Sequence, residues 1–564
     1  MLRALTLLVL TVLCVANAAE DLIYQHVGNG RFRRSSVATD QADPAGQANS
    51  ALLAMPKRIS TKQIDPLVDD LVTRIAAGYA STTPPALSTW LDAHPDIRKA
   101  FWLAIDPVFD DPTAAIAVMD ELVRHDSERA EKFYHLAIAM AVVHDTPDAV
   151  LSSRLAMIWA VEATQFPSMP DKLEIFDYLT SPAAIKRMPY PPDKLVWPLL
   201  VHVVDLDLPD SERAWVVGKF LNGKSDLSQT YSMVPYDYGK LNQQPKLGNS
   251  PYLLGNVLAK GGVCVDQAHF SSRVMKTFGI PAIKVSGESR YGGMGHAWTG
   301  FLQANRKGAS FAFTGRYNFD YYYTGDVFDP HTRRSVLDRE MAMELDGALH
   351  NYASYVDAGA LVRIATSIAS SDPSTSLRLT EAALDLNPFR ADAWRLLAKH
   401  LSTGTLDLKA GTKWLNTMAK KCYAHPDLTL EVLNTTLDTM PANDLKKRGK
   451  LYASIYTLYK ERPDLQIALR RRQCAELYAA NEADMATSLA VHTLLANAKE
   501  GSLVLPLVEV VVADCQKRPA DQRNKVHAVL VGMNKDFPKS RGDEVSQAWL
   551  ALQEQLALLK GAAP

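Results

Sequence analysis

The chain divides by the period of its apolar positions. From about Ile64 the period is helical, in alanine-rich runs over Pro66–Gly78, Ala114–His125, Ser127–Val143 and Pro147–Glu162 separated by Asp, Pro and Thr. These runs predict an all-α region over residues 56–190. Between 191 and 345 the pattern is mixed. A helix opens at Asp210-Ser211-Glu212 and continues through Arg213–Leu221, an amphipathic run follows Cys264 as far as Phe278, and Ile283 and Val285 begin a strand. A second strand starts at His296, and a return strand over Ala309–Tyr317 follows the turn Asn305-Arg306-Lys307-Gly308. From residue 346 to 564 the period is helical again, with helices at Lys450–Arg462, Leu465–Ala480, Leu503–Cys515, Asp521–Phe537 and Asp543–Lys560. The fold class expected is α+β, with a mixed core flanked by an all-α region before it and a helical-repeat region after it.

The N-terminus follows a different logic. Residues 19–55, with Gly28-Asn29-Gly30 and Asp43-Pro44-Ala45-Gly46, show no sustained period and predict a flexible leader. Ahead of them Met1-Leu2-Arg3, the apolar Ala4–Val15 and the small-x-small site Ala16-Asn17-Ala18 predict a signal peptide over residues 1–18. Leu13, directly before Cys14, is bulky where lipoprotein processing wants a small residue. The mature chain is therefore expected to be exported, periplasmic or extracellular. The richest later apolar stretch, Leu136–Val143, falls well short of the roughly 20 residues that cross a bilayer, so no membrane span is expected.

Composition narrows the function classes. A length of 564 residues with 47% hydrophobic and 22% charged content suits two to four globular domains. The net charge of −1 is made of interspersed charges with only short basic clusters such as Arg470-Arg471-Arg472, which excludes an extended nucleic-acid footprint. Beyond the signal peptide the cysteines are Cys264, Cys422, Cys474 and Cys515, widely spaced and without a C-x-x-C pair. Neither a disulfide framework nor a metal cluster is indicated, although one bridge among the last three is compatible with the spacing. The stretch Gly218–Ser225 fits the phosphate-loop pattern letter for letter. That loop needs a strand before it and a helix starting at its lysine, whereas here the helix comes first, so no nucleotide is expected.

Candidate chemistry is concentrated in Gly261-Gly262-Val263-Cys264-Val265-Asp266-Gln267-Ala268, then Gly279-Ile280-Pro281-Ala282, then Gly295-His296-Ala297-Trp298. The two glycines permit backbone conformations closed to other residues and place Cys264 at a helix N-terminus. There the unpaired N–H groups and the macrodipole favour an anion, and such positions can lower a thiol from about 8.5 into the range of roughly 3.5–7.5. Gly279 with Pro281 closes the helix. Asn256 is a candidate upstream donor to an oxyanion. The aromatic residues from Phe311 and Phe313 through Tyr317 to Tyr323 line either the core or a cleft wall.

This order of parts resembles the transglutaminase-like (papain-like cysteine) superfamily, over about residues 190–345. The resemblance implies that Cys264 is a nucleophile toward a carboxamide or peptide carbonyl, that His296 is its general base and acid, and that an acid orients the imidazole. It implies no cofactor and no metal. The family's Asp stands on the return strand of the His hairpin, and the strand expected here contains none. Asp329, in Phe328-Asp329-Pro330-His331-Thr332, best matches the family's Asp-Pro step and is taken as the third member. Asp320 and Asn318 are nearer in a simple hairpin and stay open, as does a site without such a group.

Further on, Ala382-Ala383-Leu384-Asp385-Leu386-Asn387-Pro388 followed by Ala393-Trp394-Arg395-Leu396-Leu397-Ala398 resembles the junction between tetratricopeptide units. That resemblance implies a concave surface for a protein partner. Two functions remain. One is an exported cysteine enzyme acting on protein or peptide amides by acyl transfer or hydrolysis. The other is an inactive scaffold whose helical arms bind partner proteins.

Overall fold

A computed structural model describes residues 24–27, 31–34, 61–146, 165–220, 226–288, 295–305, 308–316, 323–541 and 544–560. The expected signal peptide, most of the leader, the helix expected over Pro147–Glu162, the Gly223 end of the phosphate-loop-like stretch, Asn318 and Asp320 lie outside these residues. Within the leader, where the pattern predicts no regular structure, β1 (Tyr24–Val27) and β2 (Arg31–Arg34) pair antiparallel.

The N-terminal helices are set by their caps. Asp111 accepts from the N–H groups of Thr113 and Ala114 at the head of Pro112–His125, with Pro112 in the first turn, where its missing N–H costs nothing. Asp126 likewise caps Ser127–Lys132. The run expected over Ser127–Val143 is broken at Phe133, and α1 (Tyr134–Val143) begins there. Every side chain of α1 from Leu136 to Val143 is buried. A helix apolar all round belongs inside a core, and α1 packs against α2 (Trp197–Val204) at the centre of this half of the molecule.

The central element is α3 (Cys264–Thr277), which lies across a five-stranded antiparallel sheet of order β5-β4-β3-β6-β7. Its strands are β3 (Ala282–Glu288), β4 (Gly295–Asn305), β5 (Gly308–Thr314), β6 (Asp326–Phe328) and β7 (Ser335–Leu337). The β3 and β4 strands begin where the sequence pattern places them. The return strand β5 ends at Thr314, opposite Thr299, short of the expected Tyr317. Gly315 has φ +80°, a left-handed conformation that turns the chain off the sheet. Beyond that rung, no β4–β5 pairing continues among the described residues.

Helix α3 is buried along almost its whole length despite carrying charge. Arg273 donates Nε to Asp207 at 2.7 Å, and Lys276 pairs with Asp205. Both acids lie in the chain just after α2, so these pairs stitch the N-terminal half to the back of α3. Burying ions costs several kcal/mol each unless they are paired, which is why each has its counter-charge in contact.

The C-terminal region begins with α4 (Asp338–His350), and the boundary expected at residue 345 falls inside that helix. Helices follow at Tyr352–Ile368, Pro373–Leu386, Ala391–Ser402, Leu408–Lys421, Pro426–Thr439, Leu445–Tyr456, Pro463–Ala479, Ala483–Ala496, Leu505–Cys515, Ala520–Val531 and Gln547–Lys560. Ala391–Ser402 packs on Pro426–Thr439, which packs on Pro463–Ala479, which packs on Leu505–Cys515. Such next-but-one packing builds an array in which each unit is supported by its neighbours. Trp394 is fully buried and donates Nε1 to the Pro388 carbonyl at 2.8 Å. One apolar cluster runs from Ile64 to Leu469 through the helices, the sheet and the first C-terminal helices, and a second fills the end from Ile467 to Leu559. Among the described residues no helix is long and apolar enough to cross a membrane.

Candidate functional site

The loop before Cys264 is locked by short-range chemistry. Gly262 accepts from Asp237 N–H at 2.9 Å and donates to the Pro235 carbonyl at 3.0 Å, so one residue is clasped on both sides by the 235–237 segment. Gly261 has φ +87°, and a Cβ there would lie 2.5 Å from the Pro235 oxygen. A Cβ on Gly262 would meet the Asp266 side chain at 2.4 Å. The paired glycines are therefore required by close approach.

Asp266 is the hub of this loop. Its carboxylate accepts from Val263 N–H at 2.8 Å, from Lys240 Nζ at 2.8 and 2.9 Å and from Tyr252 Oη at 2.7 Å, all of it buried. An acid three residues into a helix that takes the N–H of the capping position satisfies one of the free donors at that end. Lys240 supplies its counter-charge, and together with Tyr252 it ties the preceding loop to the helix start.

Cys264 is thus the first residue of α3, half-buried, with its sulfur against the backbone N–H of Ala297 on β4. The two motifs meet there, since Ala297 follows His296. Below them Tyr231 donates to the Ala297 carbonyl at 2.7 Å and packs with Ala268 and Ala297. The sulfur and the tyrosine hydroxyl occupy the side of β4 that β5 vacates at Gly315. At this sulfur the lowering expected of a helix N-terminus meets an opposing effect. Burial pushes Cys264 above its ordinary value, and the N–H groups of Ala297 and Val265 offset only part of that rise.

His296 is buried, stands opposite Gly287 on β3, and places Nε2 2.7 Å from the Gly315 carbonyl. An imidazole N–H held by a carbonyl has its tautomer set, so this contact makes Nε2 the protonated nitrogen of the neutral ring. Trp298 lies two residues on, with ring centroids 5.8 Å apart, and Arg316 covers the indole at 5.3 Å. Glycines at 287 and 325 make room for that indole, because a Cβ at either would lie 2.6 Å from it.

The structure does not bring Asp329 to His296. Strand β6 pairs with β3, on the far side from β4: Asp326 stands opposite Ser286, which stands opposite Ala297. Asp329 lies three residues beyond that rung and His296 one residue before it. The two backbones are therefore about 13 Å apart along the strands and about 10 Å across them. The carboxylate of Asp329 is engaged in its own turn, accepting from His331 N–H at 3.1 Å and Thr332 Oγ1 at 2.7 Å. The Asp-Pro step is thus a hairpin device between β6 and β7. Asn256 also departs from expectation, because its side-chain amide donates to the Pro251 carbonyl at 2.8 Å.

Several site residues escape sequence reasoning. Lys284 stands opposite Thr299, whose hydroxyl reaches the Ala268 carbonyl of α3, so Lys284 lies on the sheet face that α3 covers. Burial pulls its ammonium down to about 7 against the opposing influence of Cys264. Asp338, at the start of α4, is fully buried and accepts from Thr324 Oγ1 at 2.7 Å and Gly325 N–H at 3.1 Å. Tyr231 is visible in the sequence only as an aromatic in a polar stretch. Flanking the cysteine loop, Met233, Tyr238 and Leu241 are exposed, and the rings of Tyr236 and Tyr238 lie 4.9 Å apart, which makes an apolar lip beside Gly262.

Among the described residues no group of three or more His, Cys, Asp or Glu side chains is disposed to hold a metal ion. No family model, curated protein or solved structure matches this chain.

Proposed function

We propose that the chain is an exported transglutaminase-like cysteine enzyme acting on protein or peptide amides. The observation that carries this reading is the meeting of two motifs distant in sequence: Cys264 opens a helix whose first turn abuts Ala297, the neighbour of His296. In this reading the Cys264 thiolate attacks a carboxamide carbonyl, and the N–H groups of the first turn of α3 face the developing oxyanion. His296, which takes the thiol proton as Cys264 attacks, returns it to the departing amine, and the acyl group passes to water or to a second amine. The apolar lip of Tyr236, Tyr238 and Leu241 suits side chains flanking the attacked amide in an extended protein segment.

A second reading has its own support. The thiol is raised rather than lowered, and the acid chosen from the sequence stands far from His296; both suit a scaffold that kept the fold and lost the chemistry. Alkylation separates the two. In the enzyme, iodoacetamide modifies Cys264 at pH 6–7 faster than a free thiol of ordinary pKa, and His296→Ala slows it. Transfer of a biotinylated amine to a glutamine-containing protein, or release of ammonia from it, then tests turnover. A Cys264 that reacts no faster than a model thiol, with a rate indifferent to His296→Ala, sinks the enzyme reading.

A further inference from the structure

The group that holds His296 is the carbonyl of Gly315, 2.7 Å from Nε2. One N–H makes one strong hydrogen bond, so the ring nitrogen expected to face an acid is already taken. A carbonyl orients an imidazole only as firmly as its own backbone is held. The β4–β5 ladder ends at Thr314, so side chains around Gly315 must do the holding. Thr314 donates Oγ1 to the Ser228 carbonyl at 2.9 Å. The Tyr231 ring packs against Gly315, 2.5 Å from where a Cβ would stand. Arg316 anchors the other side: its guanidinium lies over the Trp298 indole at 5.3 Å and the Phe313 ring at 5.8 Å, and Nη1 stands 3.6 Å from Oδ2 of Asp338.

Asp338 is itself immobilised. It is fully buried, its Oδ1 accepts from Thr324 Oγ1 at 2.7 Å and Gly325 N–H at 3.1 Å, and its own N–H donates to the Gly325 carbonyl at 2.8 Å. The carboxylate is thus fixed to the glycine that lies against the Trp298 indole. Its Oδ2 makes no hydrogen bond and faces Arg316, while the adjacent Arg339 turns Nε to the Tyr323 carbonyl. A buried carboxylate needs a counter-charge, and Arg316 supplies it.

We propose that Arg316 and Asp338 are positioning residues for His296, their ion pair fixing the carbonyl that orients the imidazole. The Gly315 carbonyl belongs to the planar peptide that joins Gly315 to Arg316, so anchoring Arg316 restrains the direction of that carbonyl. Gly315 has φ +80° and no side chain to limit rotation, and without the anchor this peptide is free to turn. The inference rests on the reading of Cys264 and His296 as nucleophile and base, and it adds two residues that the resemblance does not supply.

The test uses the full chain with ¹⁵N-labelled histidine, the His296 signals being those lost in His296→Gln, together with iodoacetamide alkylation of Cys264 at pH 7 followed by mass spectrometry. In the unaltered chain neutral His296 is expected as the Nε2–H tautomer. Asp338→Asn keeps an acceptor for Thr324 and Gly325 and removes the charge that holds Arg316. It is expected to give a mixture of tautomers and to slow alkylation by about tenfold, the equivalent of about one unit in the thiol's apparent pKa. Arg316→Met is expected to do the same, and Arg316→Lys to recover most of the loss. Combining Arg316→Met with Asp338→Asn should slow alkylation no further than Arg316→Met alone, since the two side chains act as one unit. Thermal melts establish that each variant is folded. Should Asp338→Asn not fold, Arg316→Met against Arg316→Lys decides, because Arg316 is partly exposed. A folded Arg316→Met chain with tautomer and alkylation rate unchanged, or an Arg316→Lys no better than Arg316→Met, overturns this inference; the enzyme reading stands if His296→Ala still slows alkylation. A Cys264 that is slow in the unaltered chain overturns the enzyme reading itself, and the tautomer then decides by itself whether Arg316 and Asp338 position the ring.

Discussion

At Cys264 two effects of opposite sign meet. A helix N-terminus favours the thiolate, and the N–H groups of Val265 on α3 and of Ala297 on β4 add to that preference; burial of the sulfur opposes it. Spacing in the sequence predicts only the first effect, because desolvation depends on what lies over the sulfur. The same limit explains Asp329. An Asp-Pro step after a strand reads alike whether the strand pairs with the His strand or with its neighbour, and here β6 pairs with β3. Asp329→Ala is accordingly expected to leave the alkylation rate of Cys264 within about twofold. It should lower stability by about 1 kcal/mol through loss of the Thr332 and His331 hydrogen bonds. A collapse of Cys264 reactivity in a folded Asp329→Ala protein would restore the residue to the site. Lys284 was hidden for a related reason. It stands between Ile283 and Val285, where alternation reads it as the solvent-facing position, and only the placement of α3 turns that face inward.

At the scale of elements, α3 and the loop before it form one unit held by Asp266. The paired glycines, the cysteine and the helix to Thr277 were legible because each rests on local backbone conformation and period. The partners of Asp266 were not, since Lys240 and Tyr252 reach it from 26 and 14 residues away. Removing this carboxylate leaves the buried Lys240 ammonium without its counter-charge. Asp266→Ala is therefore expected to cost about 3–5 kcal/mol, read as a lowered urea midpoint, and adding Lys240→Met should recover part of the loss. An unchanged midpoint for Asp266→Ala would show that the loop is held by other contacts. The return strand shows the same division. Its start after the Arg306-Lys307 turn was visible, and its early end at Thr314 was not, because Gly315 departs to accommodate the Tyr231 ring, 2.5 Å from where a Cβ would stand.

At the scale of the whole molecule, the N-terminal helices, the sheet and the C-terminal array share one core, joined by Lys99 with Asp357 at 2.9 Å and by Arg363 with the Ile105 carbonyl. The turn after β6 is part of this joint. Arg333 pairs with Asp145, and His331 Nε2 lies 3.2 Å from Asp110 while its ring meets Trp197 edge-on at 5.4 Å. Burial opposes a charge on His331, but Asp110, with Asp329 and Asp145 beyond it, outweighs burial and raises the group to about 9. A folded pKa above the unfolded value of about 6.5 means that this contribution is complete below pH 6.5 and is lost as pH rises through about 9. Thermal melts between pH 6 and 10 are expected to show a decline that flattens in His331→Gln; equal slopes in both proteins would remove His331 from the joint. By itself the sequence determined what depends on neighbours along the chain: the helical period on either side, the start of α3 and the β4–β5 hairpin. Tertiary structure alone decided which strand β6 joins, which face α3 covers and which charges are buried together. Pairing partner, cover and desolvation arise between segments far apart in the chain, and no local pattern records them.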